Sequence, residues 1–410
     1  MPSAFHVLFA FCLLQMSVCC TSPTGMASYR QQHLQTHRQQ YTCPSACRCK
    51  CREKVSRMRC RKIPVVTSSQ MTYTMMSIAQ QNLTTIKQNA FKNIGTSVLD
   101  LHGNMLTSSI HDEAFVGLDM LKVLVLSDCG LTFLPVAVTK LQSMEVLHLE
   151  YNNVSVIPTD FFIRNTQLLD LSLYRNRIHH IQTGAFSGLQ KLQKLKLFGN
   201  AITRIRRRQL KGLKALKSLD LSHNLIRKLP GKLFKDLKHL TWLDLESNLL
   251  TFLNRNTFKG QRRLKYLNLA RNPFSQIVDD TFTVVQRLRF LSIEVGYVER
   301  LSNSTFSGLR NLNTLHLGEA QHPTFPSGIF GSMGALRRLS VANNKGTFKG
   351  FLPKMFPVGY QFSQLSIWTV PMDGCSCRTK WIRKLTKKSA YVFGYCRNGH
   401  ALGCKRKPKA

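Results

Sequence analysis

Trp242, Tyr266 and Phe290 recur at a constant interval of 24 residues, and so do two files of cations: Lys211, Lys235, Lys259 and Lys214, Lys238, Arg262. Arg208 and Lys232 form a third file, with Arg206 and Arg207 beside it. Large rigid rings among mixed charges such as Asp244 and Arg271 have the makeup of a protein-binding hot spot. Evenly spaced cations instead suit a polyanion, whose charge they match along its length. Neither set resembles a catalytic centre. The sequence has no HExxH zinc motif, phosphate loop or nucleophile elbow, and His179-His180 falls at a repeat turn with no partner implied. The expectation is a binding protein, not an enzyme, with no cofactor and no metal.

The element that would hold these intervals is a repeat. The line Leu-x-x-Leu-x-Leu-x-x-Asn-x-Leu starts at Leu168, Leu192, Leu216, Leu240, Leu264, Leu288, Leu312 and Leu336 without losing register. This resembles the leucine-rich repeat, in which each unit supplies one short strand to a stack. The predicted fold is an α/β solenoid, a horseshoe with parallel strands on its concave face. Units begin near Tyr73 and end near Phe362, with small shifts of spacing around Thr96, Leu121 and Met144.

Leucines at places 1, 4, 6 and 11 of each unit should point inward. Phe162, Phe186, Phe234, Phe258, Phe282, Phe306 and Phe330 share place 19 and should form a packing spine. Place 9 is Asn152, Asn176, Asn200, Asn224, Asn248, Asn272 and Asn344, where an amide can satisfy buried backbone groups. Cys129 takes that same place and reads as a buried, unreactive thiol. Gly296 and Ala320 break the row, so a looser ladder is expected there; the long run after Asn344, through Gly346, Pro353 and Gly359, reads as a protruding loop.

Residues 1–20 read as a signal peptide with an apolar block over Ala4–Val18, and 21–42 as a flexible polar leader rich in Gln and His. No later run is long and apolar enough to span a membrane. A cysteine-rich front cap is expected over 43–72, about twelve to thirteen repeats over 73–370, and a cysteine-rich back cap with a basic tail over 371–410. Sequons at Asn82, Asn153 and Asn303, with cysteines clustered at both ends, point to an oxidising extracellular address.

The front cluster Cys43-Pro44-x-x-Cys47-x-Cys49, then Cys60, resembles the N-terminal cap of extracellular leucine-rich repeat proteins; Cys375-x-Cys377-x-x-x-Trp381, then Cys396 and Cys404, resembles their C-terminal cap. The resemblance, shared with chondroadherin, Slit repeat domains, variable lymphocyte receptors and Toll-like receptor ectodomains, implies pairs Cys43–Cys49, Cys47–Cys60, Cys375–Cys396 and Cys377–Cys404. Cys51 is an extra cysteine and the gap before Cys60 is long, so other pairings stay open, as does a link between two chains through Cys51.

The chain carries 58 Lys plus Arg against 20 Asp plus Glu, a net +38 that favours acidic partners. Half of the acids fall on strand positions expected to face the concave side, where they balance the cations. The excess must therefore sit on the outer flank and the caps. Cations about 5 Å apart in water repel by ~0.8 kcal/mol per pair, only partly screened over a Debye length of ~8 Å. The expected polyanion surface is Arg206, Arg207, Arg208, Lys211, Lys214, Lys232, Lys235, Lys238, Lys259 and Arg262, with Lys384, Lys387, Lys388, Lys405, Arg406 and Lys407 of the back cap. The expected protein-binding surface is Tyr174, Phe198, Trp242, Asp244, Tyr266, Arg271 and Phe290. Two functions follow: a secreted, matrix-associated protein that binds sulfated glycosaminoglycan or another polyanion through its basic flank and back cap and a protein through its concave rings, or a soluble innate-immune or guidance-type recognition receptor reading a protein or microbial ligand.

Overall fold

The computed structural model describes residues 44–52, 55–65, 71–107, 110–318, 325–344, 355–356, 362–369 and 386–393. The chain divides into two compact units, 1–153 and 154–410.

In the first unit, Cys47–Arg52 and Val55–Cys60 form an antiparallel hairpin, closed by a disulfide between Cys47 and Cys60. This is the pair the cap resemblance implied. Cys49 is also disulfide-bonded, while Cys43 lies outside the described residues. Val55–Cys60 pairs in parallel with Met71–Ser77, and the parallel ladder continues through Ile94–Asp100, Val123–Val125 and Val146–His148.

In the second unit, every repeat start is followed by a strand in the register the spacing predicts. The series runs Asp170–Ser172, Lys194–Lys196, Ser218–Asp220, Trp242–Asp244, Tyr266–Leu269, Phe290–Glu294, Thr314–Gly318, Arg338–Asn344 and Phe362–Thr369, all parallel. Leu195, Leu219, Leu243, Leu267, Leu291 and Leu315 are Cα partners in sequence and are all buried. A leucine at place 4 must point inward because side chains alternate along a strand, so a constant period stacks leucine on leucine. Thr386–Phe393, in the stretch expected as back cap, adds another parallel strand. Cys375, Cys377, Cys396 and Cys404 lie outside the described residues.

The asparagine row does what its place requires. Asn248 Nδ2 donates to the carbonyls of Leu221 at 2.9 Å and Leu245 at 3.1 Å, and its Oδ1 accepts the amide of Ile226 at 3.0 Å. Asn152 in the first unit repeats the pattern, and so does Asn104, hidden in the sequence by the irregular early spacing. Cys129 donates its thiol to Leu101 O at 3.2 Å, and burial pushes its pKa up to about 11, as expected of an inert thiol. The residue just before the asparagine must turn the chain out of the strand in a left-handed conformation. It does so at His223 (φ 51), Ser247 (φ 53) and Arg271 (φ 54).

Phe258, Phe282, Phe306 and Phe330 stack in sequence at 6.0 to 6.3 Å and are fully buried. Phe356 extends the spine, 5.0 Å from Phe330. Within the stretch read as a protruding loop, Met355 and Phe356 are buried, against that expectation at these two residues; 345–354 and 357–361 lie outside the described residues. Ala320 lies outside the described residues, and just before Gly296 the strand ladder is longer than in earlier turns. Phe290–Glu294 and Thr314–Gly318 pair over five residues, against three for Ser218–Asp220 with Trp242–Asp244, so continued strand pairing satisfies backbone groups there. Close packing on the other side of the repeat needs Gly188 at φ 88, where a Cβ would stand 2.5 Å from Ile163 O. Among the described residues no helix is long and apolar enough to cross a membrane.

Candidate ligand-binding surfaces

Places 3, 5 and 7 of each strand project from the same side of the sheet. In the second unit, place 3 aligns Ser218, Trp242, Tyr266, Phe290 and Thr314 as Cα partners. Adjacent strands lie ~4.8 Å apart, close to the thickness at which rings pack face to face. Trp242 and Tyr266 stack at 5.2 Å and 10°, Tyr266 and Phe290 at 4.4 Å and 5°, and His316 tilts against Phe290 at 5.3 Å. All three rings are half-buried.

Tyr174 and Phe198 also stack, at 4.6 Å and 11°, with the Arg175 guanidinium 5.9 Å over Phe198. The sequence suggested that they extend the Trp242 group. They occupy place 7, four residues farther along the strand than place 3, or about 13 Å at ~3.3 Å per residue, and so form a second stack on the strand face. Among the described residues no ring contact joins the two stacks.

Carboxylates line the larger stack. Asp244 is only 8% exposed; its carboxylate accepts the Glu246 amide at 2.9 Å and the Asn268 side-chain amide at 3.2 Å. Burial, reinforced by the charges of Asp220 and Glu246, pushes Asp244 up to about 6. Burial also raises Asp220, whose Oδ1 accepts from Ser222. The Tyr266 hydroxyl is pushed up to about 12 by burial and then by Asp244, Glu246 and Asp220, so it remains a hydrogen-bond donor. Glu246 has a cation at hand, Arg271 Nε at 3.5 Å. Asp244 therefore holds its own turn as well as bordering the rings.

The strand face of the first unit is arranged differently. Glu145 pairs with Lys122 at 2.9 Å, Glu150 with His148 at 3.1 Å, and Asp100 accepts from Ser77 and from the His102 amide.

The basic flank of the second unit is exposed at Arg206, Arg208, Lys211, Lys214, Lys232, Lys235, Lys238, Lys259 and Arg262. Arg207 departs from the expected unpaired ladder, because its Nε and Nη2 donate to both oxygens of Asp236 at 2.7 and 2.8 Å. The planar fork of a guanidinium matches a carboxylate in this way. The hydrogen bond to Arg207 holds Asp236 below the usual carboxylate range, with Lys235 and Lys238 adding to the effect. Among the described residues the other cations of the ladder make no ion pair. Lys387 and Lys388 fall in the strand Thr386–Phe393, and Lys384, Lys405, Arg406 and Lys407 lie outside the described residues. Asn82 and Asn303 are exposed and Asn153 is partly so.

A model of the leucine rich repeat matches residues 74–131, 142–202, 199–250 and 238–295, just over half of the chain. The chain belongs to the leucine-rich repeat family. Comparison with curated proteins gives no significant match. Among solved structures, this leucine-rich repeat chain is similar to that in a crystal structure of a TLR13–ssRNA13 complex, with 21% identity and a TM-score of 0.62. The similarity covers 78% of this chain and 54% of that one, so the chain spans about half the length of that relative.

The leucine-rich repeat pattern alone located the rings and the lysine files. It missed Arg175 over Phe198 and the Arg207–Asp236 pair, both of which depend on side-chain reach across neighbouring turns. For the ion pair the available signal was Asp236 itself, a lone acid set among cations.

Proposed function

We propose that this protein is a secreted, matrix-associated binding protein with two chemically distinct surfaces. The flank bearing Lys211, Lys214, Lys235, Lys238, Lys259 and Arg262 takes a sulfated glycosaminoglycan or similar polyanion, and the strand face bearing Trp242, Tyr266 and Phe290 takes a protein. The observation that carries this reading is segregation. The flank has one acid, Asp236, held by Arg207, whereas Asp220, Asp244 and Glu246 gather on the strand face beside the stacked rings. Release of counterions from a sulfated chain drives binding to such a row of cations and makes it salt-dependent.

Elution from immobilised heparin in a salt gradient tests the flank. The parent protein should elute well above physiological salt, and the Lys211→Glu, Lys214→Glu, Lys235→Glu, Lys238→Glu variant much earlier. A Trp242→Ala, Tyr266→Ala variant should elute with the parent. Unchanged elution of the four-lysine variant overturns the flank assignment.

A second reading, a soluble recognition receptor for a protein or microbial ligand, is favoured by the ring stack. The solved relative is a complex with ssRNA13, and RNA is itself a polyanion. Competition on the heparin column between single-stranded RNA and a sulfated oligosaccharide of equal charge separates the two readings.

A further inference from the structure

The three-ring stack stops at Trp242. On one side of Trp242 stands Tyr266; on the other, the strand register places Ser218, whose side chain is a hydroxymethyl group. The outer face of Trp242 therefore meets no ring among the described residues. Next in the row is Lys194, and Lys196 is the Cα partner of Asp220; the two lysines share the Asp170 carboxylate on their far side, with Nζ at 3.8 and 3.5 Å. The short side chain of Ser218, set between Trp242 and Lys194, leaves a notch in this row. Two residues farther along the same strands are Asp220 and Asp244, about 6.7 Å away at ~3.3 Å per residue, and among the described residues neither has an ion pair.

This is a place for a cation: an open aromatic face, whose quadrupole attracts positive charge, beside two carboxylates. A neighbouring stack shows the same chemistry already satisfied from within the chain, by Arg175 over Phe198 at 5.9 Å. No cation stands over Trp242, Tyr266 or Phe290 among the described residues.

We propose that the notch over Ser218, walled by Trp242 and edged by Asp220 and Asp244, receives a lysine or arginine side chain from a basic segment of a partner protein. The inference rests on the strand-face reading above and names the chemistry of its ligand. Burial and the neighbouring carboxylates push Asp244 up to about 6; at neutral pH it is ionised against a repulsion that an inserted cation relieves.

Calorimetric titration of the full chain at about pH 7.4 with penta-arginine, and with the isosteric neutral penta-citrulline, tests the proposal. Penta-arginine should bind with one site per chain and about tenfold or more tighter than penta-citrulline, the discrimination expected of charge-assisted contacts. Asp220→Asn with Asp244→Asn should remove that preference. Ser218→Phe, which fills the notch by continuing the stack without changing charge, should abolish binding while circular dichroism and melting stay those of the parent. Equal affinity for both peptides, lost together in Trp242→Ala, overturns the cation assignment and leaves the strand-face reading standing. Affinities untouched by Trp242→Ala overturn both, and arginine binding that survives Ser218→Phe places the cation elsewhere.

Discussion

The strand faces of the two units are built from the same repeat: acids on both meet partners within the chain, but among the described residues the three-ring stack stands on the second. In 1–153, acids meet partners within the unit: Glu145 with Lys122, Glu150 with His148, Asp100 with Ser77. In 154–410, Asp170 likewise meets Lys194 and Lys196, and Glu246 meets Arg271, but place 3 from Trp242 to Phe290 is a stack of rings, and Asp220 and Asp244, raised by burial, accept hydrogen bonds and have no ion pair among the described residues. A satisfied face is a structural surface. A face that keeps rings half-exposed beside carboxylates with hydrogen bonds but no ion pair keeps interaction capacity for something outside the chain. The comparison shows that the repeat fixes where side chains stand, while the residues at places 3, 5 and 7 decide whether the chain or a ligand completes them.

The largest effect should be the same in both units, since it belongs to the scaffold. Asn248→Ala and Asn104→Ala each strand several buried backbone groups, at about 1–3 kcal/mol per group. Each should lose about 3 kcal/mol or more in denaturant unfolding. A loss in one unit only would mean that the two faces differ because the scaffolds do.

The next effect belongs to the second unit. The Asp244 carboxyl is raised from 3.8 to about 6, so the folded chain holds a proton that the unfolded chain releases. Its contribution is fully present below about pH 4, is lost as the pH rises to about 6, and changes little above. At ~1.36 kcal/mol for each pH unit between the folded and unfolded values, this amounts to roughly 2–3 kcal/mol. Asp244→Asn, which keeps an acceptor for the Glu246 amide, should flatten that part of the pH–stability curve. A variant with the parent's slope would remove Asp244 as the source.

A smaller pair of changes should differ in sign. Glu145→Gln breaks a partly exposed ion pair and should cost about 0.5 kcal/mol. Asp220→Asn removes a half-buried charge with no ion pair among the described residues while keeping its acceptor for Ser222, and should stabilise by up to about 1 kcal/mol. Two changes of the same sign in chemical denaturation would erase the distinction between the faces.

Much of this was legible in the sequence because the period is constant. Once Leu168 through Leu336 fix the places, Phe282 must lie over Phe258 and Trp242 beside Tyr266, since parallel strands in register stack equal places. The Cys47–Cys60 pair followed from the cap's resemblance, not from spacing. What was not legible depends on side-chain reach and backbone turning. Arg207 swings to Asp236 in the neighbouring turn. Tyr174 and Phe198 are near Trp242 in the repeat count but far along the strand. Asn104 was obscured where the early spacing shifts. Phe356 returns to the spine after a run rich in Gly and Pro, the composition of a loop.

The central claim is that polyanion binding belongs to the flank and leaves the strand face free. Lysine acetylation mapped by mass spectrometry, with and without a saturating heparin oligosaccharide, tests it on both surfaces at once, because exposed Lys217 and Lys265 border the strand-face rings. The account predicts that heparin shields Lys211, Lys214, Lys235, Lys238 and Lys259 and leaves Lys217 and Lys265 as reactive as before. Equal shielding of all seven, or shielding of Lys217 and Lys265 alone, would contradict it.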